Sequence, residues 1–214
     1  MTQKLTKKNK VKRWNKFTIV SVIFVVCLVV VDQILKIWIK SNMQLGEMNP
    51  VFGNWFYLYF VENEGMAFGI SFGAKFGKVL LTLLRIVVVS FLIYYVLKLI
   101  KEKKMDWIIL LSFSLIIAGA IGNIVDCLFY GVVYDYAPFM QGNVVDMFYF
   151  QLFKMPEWLP LWGGHYFFPA IFNIADSCVT IGVLLVIIFN KRFFSTENKI
   201  SDSESNDITS PPQE

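Results

Sequence analysis

Histidine occurs once in this 214-residue chain, cysteine three times, and charged residues make up only 17% of it. A single imidazole, His165, follows Gly163 and Gly164 in an aromatic stretch and has no second ligand set with which to hold zinc. Cys27, Cys127 and Cys178 all lie inside or beside apolar runs, and an odd count so placed supports neither a disulfide framework nor a thiolate metal cluster. No glycine-rich nucleotide loop and no serine or cysteine triad stands out. The low charge accompanies 56% hydrophobic residues and a mean hydropathy of +0.56, which excludes an ordinary soluble domain.

Long apolar runs take the place of what is missing. Four stretches, 17–39, 79–100, 107–129 and 167–190, are long enough to cross a bilayer core as helices, the one open structure that satisfies its own backbone there. Basic residues cluster before the first run (Lys4 to Lys16), between the second and third (Lys98 to Lys104) and after the fourth (Lys191, Arg192). With four crossings all three clusters fall on one side, so the positive-inside rule puts both termini in the cytoplasm. The longer loops, about 40–78 and 130–166, then face outward. The first run ends in "DQILKIWIK" without a small-residue cleavage site and reads as an uncleaved anchor. Cys27 follows Val26, which is not a small residue, and reads as packing rather than as a lipidation site.

This divides the chain into a basic N-terminus (1–16), a membrane domain (17–192) and a polar, Ser- and Pro-containing tail (193–214) expected to be disordered. In the first outward loop, aromatic and β-branched residues bounded by Gly and Asn predict a small sheet on the membrane surface. In the second, "MFYFQLFKMPEWLPLWGGHYFFP" is dense in amphipathic rings and interrupted by prolines, and is expected to lie in the headgroup layer without crossing. The expected fold is a helical membrane protein, a four-helix transmembrane bundle carrying a small outward sheet and an interfacial aromatic helix or loop.

Acidic residues inside such runs are costly if they face lipid, so each needs a reason. "GNIVD" and "FNIAD" share the pattern N-I-x-D, which puts Asn123 beside Asp126 and Asn173 beside Asp176 on one helix face. Counting from the cytoplasmic ends at about 1.5 Å per residue sets both aspartates in the outer half of the membrane, with an axial offset of about 9 Å. Two carboxyls meeting in a poorly hydrated site hold one proton between them, and such a pair activates water against a carbonyl. Asp126 and Asp176 are therefore the candidate catalytic pair, with Asn123 and Asn173 positioning water or substrate. Asp32 and Lys36, spaced i, i+4, read as a helix-surface ion pair or an interfacial anchor. Arg85 reads as a snorkelling or paired residue, and Asp135 and Asp146 as solvated loop acids. A proton-coupled transporter and a noncatalytic assembly protein are the competing readings. The near absence of polar groups in "WIILLSFSLI" and "VLLVIIFN" weighs against the former.

The ordered set "DQILK", "ENEGMAFG", "GAIGNIVD", "VVDMF" and "FNIADSCVTIG" resembles the bacterial lipoprotein signal peptidases, or signal peptidase II, over about residues 20–190. The resemblance implies a four-helix aspartyl endopeptidase with an outward β-cradle and an interfacial helix. Such an enzyme sits in the bacterial inner membrane and cuts prolipoproteins just before a diacylglyceryl-modified cysteine, near the outer face. Its partners would be that lipidated substrate and membrane lipids, not nucleic acid, and it would work as a monomer without metal or cofactor. By motif it makes Asp126 and Asp176 the dyad, adds Asn63, Asn123 and Asn173 to the site, and gives supporting roles to Asp32, Lys36, Gly65, Ala175 and Asp146. Two departures stand out. Cys127 occupies a position where the family's pattern often has arginine, leaving any guanidinium role absent or supplied elsewhere, as by Arg85. Segment 149–166 is longer than in short family members.

Overall fold

The computed structural model describes residues 2–64, 74–102, 106–161 and 163–191, with side chains from residue 16 and, in the second helix, from residue 77. Gly65, part of the "ENEGMAFG" motif, the basic side chains before residue 16 and the tail from 192 lie outside the described residues. Helix α1 (Thr2–Asn42) is followed by strands β1 (Met48–Phe52) and β2 (Phe56–Asn63) and helix α2 (Ala74–Lys101). Helix α3 (Trp107–Val125) runs through a π-helical turn, Asp126–Tyr130, into the short α4 (Gly131–Val133). Strands β3 (Val144–Phe150) and β4 (Ile171–Phe172) and helix α5 (Ile174–Ile188) complete the order.

Among the described residues three helical stretches are long and apolar enough to cross a membrane: Lys16–Asn42, Gly77–Lys101 and Trp107–Val133. The fourth expected span is shorter than the hydropathy suggested, since α5 has 15 residues rather than filling 167–190. The reason is local: Ile171 and Phe172 pair with β3, and Asn173 closes a capping box that starts the helix. Exposed apolar side chains such as Ile23, Val30, Ile34, Leu84, Val87 and Phe91 give α1 and α2 the surface a bilayer covers.

Helix α3 is central and packs against α1, α2 and α5. Small residues let α3 approach α5 and α1 closely: a Cβ on Gly119 would lie 2.1 Å from the Ala175 carbonyl oxygen, and one on Gly122 would lie 2.7 Å from Asp32 Oδ2. One cluster, with Val96, Ile109, Leu110, Phe113 and Ile117, joins α2 to α3. The other, with Ile39, Met43, Phe60, Tyr130, Val145 and Met147, joins α1 and the π-helical turn to the sheet.

The four strands form one antiparallel sheet in the order β1-β2-β3-β4. The π-helical turn frees carbonyls that the returning loop uses: Gly142 N–H donates to Cys127 O (2.9 Å) and Met140 N–H to Leu128 O (3.2 Å). This docks the loop beside α3 and sets the register of β3. Lys40 pairs with Glu62 and lies 4.4 Å from the centre of the Tyr134 ring. Glu62 also accepts from the Asn143 amide, so the sheet is tied to α1 by charge as well as by packing. Among the described residues no helix forms between Tyr134 and Phe172. The aromatic segment there is an arm in which Met155 N–H donates to His165 O and Phe167 N–H to Phe153 O, both at 2.8 Å. Pro156, Pro160 and Pro169 explain why it is not helical.

Gly119→Ala is expected to cost about 1–3 kcal/mol, the range for forcing atoms into a close-packed crossing. Thermal unfolding in detergent should show the loss, while Val87→Ala on the exposed face of α2 leaves the midpoint essentially unchanged.

Candidate active site

The site is built around a buried cation. Lys36 has no exposed surface, and its ammonium group has three hydrogens. These meet Asp32 Oδ2 at 2.8 Å, Asp126 Oδ2 at 2.7 Å and Asn123 Oδ1 at 3.0 Å. The i, i+4 pair expected at the helix surface is real but buried, with Asp32 only 2% exposed. Asp32 Oδ1 accepts from Ala175 N–H at 3.0 Å, so a carboxylate of α1 caps the first turn of α5.

Asp126 is closed in on every side. Beyond Lys36 it accepts from Gln33 Nε2 at 2.8 Å and from Val145 N–H at 3.3 Å. Gln33 is held in turn by Tyr130 O–H (3.1 Å) and was not anticipated from the sequence, where it reads as one more polar residue at the end of a span.

The second pair of acids has different surroundings. Asp176 Oδ1 accepts from Asn123 Nδ2 at 2.8 Å and Oδ2 from Asn173 N–H at 3.3 Å. Asp146 Oδ1 accepts from Asn173 Nδ2 at 2.7 Å and Oδ2 from Asn63 Nδ2 at 3.2 Å. Asn173 thus touches both acids, one through its backbone and the other through its side chain. Asp146 is 3% exposed, not solvated as its loop position suggested. Burial and then the charge of Asp176 push its carboxyl up to about 7, against the opposing pull of the Asn63 amide, Lys36 and the Asn173 amide.

The structure therefore brings Asn63, Asn123, Asn173, Ala175, Asp32, Lys36, Asp126, Asp146 and Asp176 to one end of the bundle, but not in the expected pairing. Asp126 belongs to Lys36, and the carboxyl that shares Asn173 with Asp176 is Asp146. The N-I-x-D repeat brings its two asparagines together, Asn173 Nδ2 donating to Asn123 Oδ1 at 3.1 Å. It then diverges because Asp176 sits in a helix-starting capping box while Asp126 opens a π-helical turn. An acid within the apolar run "VVDMF" was the signal for Asp146. Among the described residues no three His, Cys, Asp or Glu side chains are grouped to hold a metal ion.

A cavity of about 400 Å³ opens beside Asp176 and Asn123, between α2, α3 and α5. Arg85 lines it and donates to Cys127 Sγ at 3.1 Å.

Comparison with known proteins decides the family. The model for "Signal peptidase (SPase) II" matches residues 22–191. The chain belongs to the signal peptidase II family. A lipoprotein signal peptidase of Porphyromonas gingivalis is 44% identical over 190 residues, covering 80% of this chain and 82% of that one. Another from Amoebophilus asiaticus is 39% identical, covering 85% and 80%. A solved bacterial membrane enzyme superposes with a TM-score of 0.58 at 30% identity, covering 79% of this chain and 90% of that one. The apolar helices and these neighbours make this signal peptidase II relative a bacterial membrane protein.

Lys36→Met is expected to leave Asp32 and Asp126 buried without their cation, at a cost of about 3–5 kcal/mol. Chemical or thermal unfolding of the purified protein checks this. Lys36→Arg should recover only part of the loss, because a planar fork does not reproduce three tetrahedral contacts.

Proposed function

We propose that the chain is an endopeptidase that removes signal peptides from lipid-modified prolipoproteins, cutting on the N-terminal side of the lipidated cysteine, and that Asp146 and Asp176 are its catalytic pair. Membership of the signal peptidase II family supports cleavage of lipoprotein signal peptides. The observation that carries the choice of acids is the buried Asp146 carboxyl in the field of Asp176, both held by neutral amides, whereas Asp126 is ion-paired with Lys36.

In this mechanism Asp146 holds the proton and Asp176 is ionised. Asp176 takes a proton from water as the oxygen attacks the scissile carbonyl, and Asp146 donates a hydrogen bond to the carbonyl oxygen as it gains charge. The proton taken by Asp176 passes to the departing nitrogen as the C–N bond breaks, so water is divided between the two products. Asn63 and Asn173 fix the Asp146 carboxyl, and Asn123 fixes Asp176. All four apolar helices span the inner membrane in this reading, with both termini cytoplasmic and the sheet end of the bundle outward. The enzyme acts as a monomer. Asp126 serves as counter-ion to Lys36 in place of the water-activating role its motif suggested.

The test is cleavage of a diacylglyceryl-modified prolipoprotein by purified protein in detergent. Asp146→Asn and Asp176→Asn should each lower the rate by at least about 10²-fold with the unfolding midpoint retained. Asp126→Asn should instead lower the midpoint. A folded but inactive Asp126→Asn beside an active Asp146→Asn would return the chemistry to Asp126 and Asp176.

The pH dependence has a definite sign. Because Asp146 titrates near 7 rather than its ordinary 3.8, its protonated fraction is lost as pH rises through about 7, and kcat/KM should fall on that alkaline limb. The same shift makes the folded state bind more protons than the unfolded chain between those values. The contribution of Asp146 to stability therefore declines as pH rises across that window, which unfolding midpoints measured from pH 4 to 8 would register.

A further inference from the structure

A guanidinium within an apolar helix calls for a partner, and α2 has one at Arg85. Among the described residues Arg85 forms no ion pair. It gives one N–H to the sulfur of Cys127 at 3.1 Å, although a guanidinium carries five N–H donors. Arg85 also lines the cavity that contains Asp176 and Asn123. The remaining walls are almost wholly apolar: Leu84, Val88 and Val89 on one side, Ala120 and Val179 on the other, with Thr180 as the other polar group. Leu84 and Val88 are also 57% and 56% exposed, so the cavity opens sideways through the surface of the bundle that lipid covers.

This shape and chemistry select the occupant. A helix is about 10–12 Å across, too wide for about 400 Å³ between three helices. An extended peptide can meet polar partners at the Asp176 and Asn123 end, but along Leu84, Val88 and Val89 its backbone groups would stay unpaired. An acyl chain asks nothing of such walls, and its ester offers carbonyl oxygens to a planar, multiply donating cation. We propose that Arg85 binds the ester carbonyl of the substrate's glycerolipid group, with one acyl chain lying along the α2–α5 groove. This rests on the signal peptidase reading and specifies which part of the substrate that site recognises. Arg85 is a specificity residue in this account: it sets how well the lipid is held, while Asp146 and Asp176 carry the chemistry.

The experiment uses the full chain in detergent and two synthetic prolipoprotein peptides, one with ester-linked and one with ether-linked diacylglyceryl chains. Arg85→Leu should raise KM for the ester substrate about tenfold, the size of one charge-assisted hydrogen bond, with kcat within about twofold. Wild-type protein should show the same rise for the ether substrate, and Arg85→Leu should add no further loss on it. Arg85→Gln gives the same comparison with a smaller effect should the leucine variant not fold. Equal KM for ester and ether substrates in the wild type, or an Arg85 effect confined to kcat, would overturn the assignment while leaving the peptidase reading intact. Failure of the wild type to cleave either peptide would defeat the peptidase reading itself.

Discussion

The arrangement depends on one ammonium group held away from water. Lys36 draws Asp32 from its own helix and Asn123 and Asp126 from the end of α3 into a single point of contact. A buried ion pair of this kind is weak evidence for stability, because desolvation offsets much of the attraction. What it supplies here is orientation. With Asn123 Oδ1 committed to Lys36 and to the Asn173 amide, the Asn123 nitrogen has to face the other way, toward Asp176. The cation thus acts on the Asp176 carboxyl through a neutral amide without touching it.

The start of α5 completes the same network from the other side. Strand β4 delivers the chain to Asn173, whose side chain caps the helix while its amide holds Asp146. Asp32 and Asp176 both lie at this N-terminus, where exposed N–H groups and the helix dipole favour negative charge. Four carboxyls therefore gather at one end of the bundle and divide into two kinds. Asp32 and Asp126 share a cation; Asp146 and Asp176 share an asparagine. One pair meets a buried ammonium group and the other neutral amides, two environments for the same side chain at one end of the bundle.

Cys127 and Arg85 extend this pattern into the helices. The residue after Asp126 is a buried thiol, and a guanidinium from α2 reaches it. The end of the bundle that gathers the acids borders the cavity between α2, α3 and α5 and carries the sheet at Asp146.

Much of this could be read without coordinates, and the reasons are local. Hydropathy located the apolar helices, Gly and Asn in the first outward loop marked β1 and β2, and the paired N-I-x-D elements pointed to Asn123, Asp126, Asn173 and Asp176, because each depends on residues a few positions apart. The length of α5 was misjudged since hydropathy does not register that Ile171 and Phe172 pair with a strand or that Asn173 caps the helix behind them. The partnering of the acids was decided only in three dimensions. Asp126 and Asp146 are both aspartates among apolar neighbours in the sequence. One meets Lys36, carried by another helix from the far end of the chain, and the other meets Asn63 and Asn173 across the sheet. A carboxyl's charge state follows from what approaches it through space, and that is fixed by tertiary packing rather than by its neighbours in sequence.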